Sequence, residues 1–348
     1  MKQNTPRYLS SLNALRFFSA FFVVIYHYGK NTFPFNTEPL SVLVKYGATI
    51  VSFFFFLSGV VLCYSHLERK TDKSVFYWKR IKRIFPVYFI CFFLSLFLAM
   101  FFYQSYPKGF SVLLQGLGLH SWYPGIALEI NYPAWSISVE LFFYLLFPFL
   151  LQFFKKYSWF ILVTSTFLFW VISSLQNLWL ETFFADSKIY GIKHFLYYFP
   201  IWHLNTFLFG MLCGKTILNA TIKIGLLQAR LMYSVSFLVL VLILGTENSI
   251  GIHTHNGLLS PLYFLLILGI VSDESILTRF LSNPFFQFMG NASFGLYLLQ
   301  YSVFILFSYY SGSILLNTKE FYVYLIFLLI VSASFYLFVD RTIGKWLK

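Results

Sequence analysis

Two residues near the start of the chain are of types that carry chemistry. Arg16 offers a guanidinium that holds phosphate or carboxylate through paired hydrogen bonds, and His27 an imidazole that takes and returns a proton near neutral pH. Both lie in residues 9–28, LSSLNALRFFSAFFVVIYHY. At about 1.5 Å per helical residue, that run crosses a hydrocarbon core of about 30 Å. Arg16 and His27 are 11 positions apart. On an α-helix this leaves them roughly 20° apart around the axis and about 16 Å apart along it, on one face. A buried arginine costs at least about 2.5–3.5 kcal/mol in a membrane span unless it meets protein, water or ligand. A snorkelling arginine and a histidine bonded to a backbone carbonyl explain such residues singly. Two on one stripe suggest a polar track equally well.

Further candidates follow along the chain. Glu140 stands in an apolar run opened by Tyr132-Pro133-Ala134-Trp135-Ser136. An intramembrane carboxylate is paired or functional. Here it either orients the His27 imidazole or pairs with an arginine. Ser58-Gly59, in VSFFFFLSGVVLC, admits the close approach of another backbone or of a thin ligand. Lys79, Arg80, Lys82 and Arg83 precede Pro86, a residue suited to the first turn of a helix. This basic cluster reads as a topology signal, as an anionic-lipid contact, or as a holder of phosphates. His203 follows Pro200-Ile201-Trp202 and is placed to touch a polar acceptor, with His120, His253 and His255 as weaker candidates. Asn291, Ser293 and Gln300 are polar residues of a late span that serve equally to bond neighbouring helices. No P-loop, GxSxG elbow, HExxH or paired CxxC occurs. Cys63, Cys91 and Cys213 lack the spacing of a metal or disulfide framework and are read as apolar fillers, with no metal expected.

The elements that must position these residues are membrane helices. The 348 residues are 59% hydrophobic and 11% charged, with a mean hydropathy of +0.72. Soluble domains carry about 25% charged residues, so a soluble globular protein is excluded. Ten apolar runs give ten expected spans, near residues 9–28, 46–64, 84–104, 135–154, 157–175, 195–214, 231–246, 257–272, 292–311 and 321–339. The first is read as a span rather than a cleaved leader, since it has spanning length and carries Arg16. No internal repeat supports an inverted-repeat transporter. Of the 25 Lys and Arg, 18 fall in one set of alternating segments and 6 in the other, with Arg16 inside a span. The threefold excess places both termini in the cytoplasm. Orientation thus accounts for most of the +13 net charge, and nucleic acid is not needed as a partner. The expectation is one all-α, polytopic transmembrane bundle over residues 1–348, in contact with membrane lipids.

Taken together, these segments resemble the acyltransferase 3 family of integral membrane acyltransferases. Arg16-x10-His27 matches the family's first-helix signature. Phe54-Phe55-Phe56-Leu57-Ser58-Gly59 is similar to its second-helix segment, and Arg80-Ile81-Lys82-Arg83-Ile84-Phe85-Pro86 to its basic loop. Trp135-Ser136-Ile137-Ser138-Val139-Glu140 matches the WSxxVE element, and Ser293-Phe294-Gly295-Leu296-Tyr297-Leu298 the late SYxxYL element. Five matches in family order carry far more weight than any one. Two departures stand out. Gln300 occupies a place where the family often has His, and Asp340-Arg341-Thr342 replaces a late element that usually contains proline. The SGNH hydrolase-like domain of some members is also absent from this sequence, so acyl handover is expected within the membrane domain.

The resemblance implies transfer of an acetyl or other short acyl group from cytosolic acyl-CoA to a hydroxyl of a surface polysaccharide or its lipid-linked precursor, in a bacterial cytoplasmic membrane. Arg16, Arg80 and Arg83 would hold the phosphates of acetyl-CoA, with the pantetheine arm passing Ser58 and Gly59. His27 would act as general base, oriented by Glu140. Trp135, Ser136 and His203 would meet the acceptor. A non-enzymatic carrier of a lipid-linked sugar is the rival expectation; it would not require the single-face Arg16–His27 pair beside cytosolic cations.

Overall fold

The computed structural model describes residues 7–219, 224–250, 254–273 and 275–346, so His253 lies outside the described residues. Its helices in chain order are α1 (Arg7–Val24), α2 (Leu40–Lys45), α3 (Ile50–His66), α4 (Lys73–Tyr103), α5 (Gly109–Gly116), α6 (Trp135–Lys156), α7 (Trp159–Phe183) and α8 (Ile192–Tyr198). There follow α9 (Leu204–Asn219), α10 (Leu226–Ile250), α11 (Ser260–Ser272), α12 (Ile276–Leu281), α13 (Pro284–Ser311), α14 (Thr318–Phe335) and α15 (Arg341–Trp346). No strand occurs among the described residues. The chain is thus an all-α polytopic bundle, as a lipid environment requires of a backbone that must satisfy its own polar groups. Among the described residues, seven helical segments are long and apolar enough to cross a membrane. Each of the ten expected spans overlies a helix, but those on α1, α9 and α11 are not among the seven; α9 and α11 have only 16 and 13 helical residues.

Three local departures from the sequence expectation shape the site. First, α1 does not stay α-helical to His27: residues Ile25–Gly29 form a π turn. Each residue of this wider turn advances less than 100° around the axis, which rotates His27 back from the position a straight helix gives it. Second, the basic cluster is not a loop before a helix starting at Pro86. Asp72 accepts the Val75 N–H at 2.9 Å and caps α4 at Lys73, so Pro86 lies inside the helix. Arg80 and Arg83 therefore stand three residues apart on an ordered helix. Third, the span expected at 195–214 is interrupted. Phe199 is extended before Pro200, the chain turns through a 3-10 segment at Pro200–His203, and α9 begins only at Leu204.

Small residues set the closest helix pairs. A Cβ on Gly210 would lie 2.1 Å from the Phe56 carbonyl, and one on Gly59 2.3 Å from the Phe207 carbonyl. The α3 and α9 backbones are thus in direct contact. Between α1 and α13, a Cβ on Gly290 would lie 2.3 Å from the Asn13 carbonyl. Asn13 Nδ2 donates across this seam to the Gln287 carbonyl at 3.0 Å and to Asn291 Oδ1 at 3.1 Å. This seam holds Arg16, one turn along α1, beside α13.

Candidate active site

A cavity of about 230 Å3 opens between α1, α3, α4, α6 and α13 and is closed by a second π turn, Tyr336–Asp340, at the end of α14. Four charged side chains line it: Arg16, Arg83, Glu140 and Asp340. They come from four elements, which explains why no single stretch of sequence announces the cavity. Ser136, Ser293 and Tyr297 add polar lining. Arg16, Arg80 and Arg83 repel one another, while Glu140 attracts both Arg16 and Arg80. Two arginines and two carboxylates line the cavity, and Arg80 behind it supplies a third cation. The surplus is one positive charge, suited to an anionic group.

Glu140 is held firmly, but not by His27. Its carboxylate accepts the Ser58 hydroxyl at 3.3 Å and a short hydrogen bond from the Tyr144 hydroxyl one helical turn later. No hydrogen bond joins it to His27 among those the described residues form. Glu140 anchors the charged cavity; of its two expected partners, the imidazole makes no hydrogen bond to it, while Arg16 and Arg80 lie within its electrostatic reach.

Tyr144 in turn lies under Arg80, whose guanidinium sits 5.6 Å from the Tyr144 ring and 5.3 Å from that of Phe76. Arg80 thus stands behind the cavity wall rather than in it. Gly59 also departs from its expected role. Its open face is filled by the α9 backbone, so it packs helices and leaves Ser58 to face Glu140.

The residues expected at the acceptor side divide. Ser136 lines the cavity and donates to the Pro133 carbonyl at 3.2 Å. Trp135 and His203 do not line it. Trp135 is 5% exposed and His203 fully buried, and their rings pack 5.3 Å apart at a tilt of 40°. His203 Nε2 bonds to the Tyr197 carbonyl at 3.0 Å, and the His255 ring packs against both side chains. This is a packed aromatic cluster outside the cavity lining, so the cavity itself gives the expected acceptor contacts of Trp135 and His203 no support. His120 is likewise fully buried. Gln300 is buried, donates to the Tyr297 carbonyl at 2.7 Å and gives its own carbonyl to Tyr324 at 2.9 Å, which is a structural use.

His27 is half-buried, with its ring 4.7 Å from Tyr132 and 4.8 Å from Tyr26. It does not line the cavity itself. Two chain segments carry the cavity wall toward it, however. Ser136 lies one turn beyond Tyr132, and Val51 one turn beyond Gly47, whose Cα abuts Tyr26. Arg16 thus opens a path whose far end comes within a helical turn of the residues around His27.

Sequence reasoning missed Tyr144, Asn13 and Asp340. The i, i+4 spacing of Tyr144 from Glu140 was a usable signal; nothing in the sequence points Asp340 into the cavity. Among the described residues no group of three His, Cys, Asp or Glu is placed to hold a metal ion.

Comparison with known proteins identifies the family. The acyltransferase domain family matches residues 9–339. A putative O-acetyltransferase of Staphylococcus aureus (strain COL) is 24% identical over 332 residues, covering 87% of this chain and 52% of that protein. The O-acetyltransferase OatA of Staphylococcus aureus (strain NCTC 8325 / PS 47) is 26% identical over 386 residues, covering 99% of this chain and 58% of its own. The acyltransferase MdmB of Streptomyces mycarofaciens is 33% identical over 149 residues, 40% of this chain and 38% of that protein. The chain thus spans about half the length of the curated relatives it matches. No solved structure matches. With the family signature matched from the first helix to the last, the chain belongs to the acyltransferase 3 family of membrane acyltransferases.

Proposed function

We propose that this protein is an acyl-CoA-dependent O-acetyltransferase that moves an acetyl or other short acyl group to a hydroxyl of a cell-surface glycan or its lipid-linked precursor, in a bacterial cytoplasmic membrane. One observation carries the reading: a cavity with Arg16 and Arg83 at its charged end leads toward, and stops about one helical turn short of, the collar of rings around His27. At about 230 Å3 it is smaller than the roughly 300–1,000 Å3 of sites that bury a whole drug-sized ligand. It suits the arm of a donor whose nucleotide stays outside. The charge surplus meets donor phosphates at the mouth, where Arg83 is exposed.

The chemistry then needs a base at the far end. His27 takes the proton of the acceptor hydroxyl, and the freed oxygen attacks the thioester carbonyl carbon. The C–S bond breaks, and the imidazolium returns the proton to the leaving thiolate, so that free CoA-SH and the ester result. Glu140, with Ser58 and Tyr144, fixes the electrostatics around the arm. Relatives named O-acetyltransferase support the class of reaction, and their bacterial sources support the membrane.

The test uses purified protein in liposomes with radiolabelled acetyl-CoA and a surface-glycan extract. Wild type is expected to label glycan, and His27→Ala to abolish labelling while still binding acetyl-CoA. Equal labelling by both would move the base elsewhere. Failure of wild type both to label and to bind acetyl-CoA would overturn the enzyme reading in favour of a carrier.

A further inference from the structure

A second cavity, of about 190 Å3, lies between α4, α13 and the chain at Glu129-Ile130. On α13 the two cavities follow one another. Gly290, Ser293 and Tyr297 face the first; Tyr301, Phe304 and Ser308 face the second. The collar around His27 stands between them. The Tyr301 ring lies 4.9 Å from Tyr132, which lies 4.7 Å from His27, and the Phe304 ring lies 4.5 Å from Tyr28.

The chemistry of the second cavity is the reverse of the first. Its lining includes no lysine or arginine, and its one charge is the Glu129 carboxylate. Hydroxyls come from Tyr103, Ser105, Tyr301 and Ser308, with Tyr103 and Ser308 bonded to each other at 2.5 Å. A carboxylate and several hydroxyls beside aromatic faces suit a neutral polyhydroxyl ligand: the carboxylate accepts from sugar hydroxyls, and the ring faces cover the sugar's apolar C–H surface. The same carboxylate, with no cation in the lining, disfavours an anionic ligand.

We propose that this second cavity binds a neutral sugar of the acceptor, with Tyr301 as its platform and Glu129 as its hydroxyl partner. The proposal rests on the acyl-transfer reading for the reaction, but not for the binding. The two cavities then serve as donor and acceptor ends of one stripe on α13. A sugar held at Tyr301 presents the adjoining residue of the glycan toward Tyr132 and His27.

Two measurements on the full-length protein in liposomes test this and separate it from the reaction itself. In the first, Ser105→Cys places a thiol on the exposed rim, while Cys63, Cys91 and Cys213 are all buried and contribute little background. Maleimide labelling of that thiol is expected to slow in the neutral glycan fraction of a cell-envelope digest and not in its acidic fraction. Adding Glu129→Gln should remove the protection. In the second, Glu129→Gln should raise the acceptor concentration for half-maximal transfer by about tenfold, the loss of one hydrogen bond to a charged group, and Tyr301→Ala should raise it by a similar factor through loss of the ring face under the sugar. The acetyl-CoA requirement should stay fixed. Protection without transfer by the wild type would keep the sugar site and reject the reaction. Transfer with no protection and no change in acceptor dependence would reject the site, as would stronger protection by the acidic fraction.

Discussion

Tyr144→Phe removes one oxygen from the site and little else, and the consequences follow from the geometry. The ring stays, so the packing against Phe76 and the cation–π contact with Arg80 at 5.6 Å are retained. What is lost is the short hydrogen bond to Glu140, leaving that carboxylate with the Ser58 hydroxyl at 3.3 Å, together with the hydroxyl's weaker interaction with Arg80. A hydrogen bond to a charged group contributes about 1.5–3 kcal/mol. Water from the adjoining cavity replaces part of it, so the lower end applies, about 1.5 kcal/mol or roughly tenfold. Freed from Tyr144, the carboxylate turns toward Arg16 and Arg83 and competes with donor phosphates for them. The half-saturating acetyl-CoA concentration should therefore rise about tenfold, with the maximal rate nearly unchanged. The assay is acyl transfer over a donor series, with thermal unfolding of the same preparation to check the fold. If Tyr144→Phe matches wild type while Glu140→Gln is impaired in donor use, the anchoring role of Tyr144 is wrong. If the maximal rate falls instead, the hydroxyl acts nearer the reacting atoms than this geometry allows.

Asp340→Asn removes one of the two carboxylates lining the cavity, so the acetyl-CoA requirement should fall a few fold and its dependence on salt should steepen. An unchanged requirement at low salt would show that Asp340 does not face the donor. Away from the site, burial works against ionisation of Asp273, but the Ser275 hydroxyl and N–H, the Tyr233 hydroxyl and Arg230 at 3.7 Å outweigh it and hold the carboxyl below its usual range. The stability it contributes is then present above the unfolded value near pH 4 and is lost as pH falls through the lower folded value. Thermal unfolding against pH should show a shallower acid decline for Asp273→Asn than for wild type; parallel curves would contradict the assignment.

Much of the architecture was legible because lipid imposes simple rules. Apolar runs mark helices, and all ten expected positions carry one. Legibility failed where the determinant was a partner far along the chain. Ser58-Gly59 announced a close approach, but only the fold shows that Gly210 and the Phe207 carbonyl make it. Glu140 announced a partner, but it took hydroxyls from Ser58 and Tyr144 in place of the histidine its depth suggested. Trp135 and His203 looked available because aromatic and polar residues at helix starts often are; the turn at Pro200 folds them into one packed cluster with His255. The π turn at Ile25–Gly29 has no pattern of its own, since a hydrophobic run reads alike in either helix type.

On the proposed mechanism the reaction depends most on the position of His27, and two glycines hold it. Gly47 lies against Tyr26, where a Cβ would come within 2.4 Å of the tyrosine Cβ. Gly29 lies against the fully buried Phe321, where a Cβ would come within 2.6 Å of the ring. The π turn is thus clamped from both sides. Gly47→Ala cannot be accommodated by a flexible side-chain tip, because the contact falls at the root of Tyr26. The backbone must yield at a cost of about 1–3 kcal/mol, and His27, the next residue, moves with it. A displacement of about 1 Å costs on the order of 100-fold in rate when a catalytic group must meet its substrate in line. Transfer by Gly47→Ala should fall by about that factor while acetyl-CoA binding, proposed to rest on Arg16 and Arg83 some turns away, stays as in wild type. A stably folded Gly47→Ala that transfers at the normal rate would show that the imidazole needs no such clamp, and would weigh against His27 as the base.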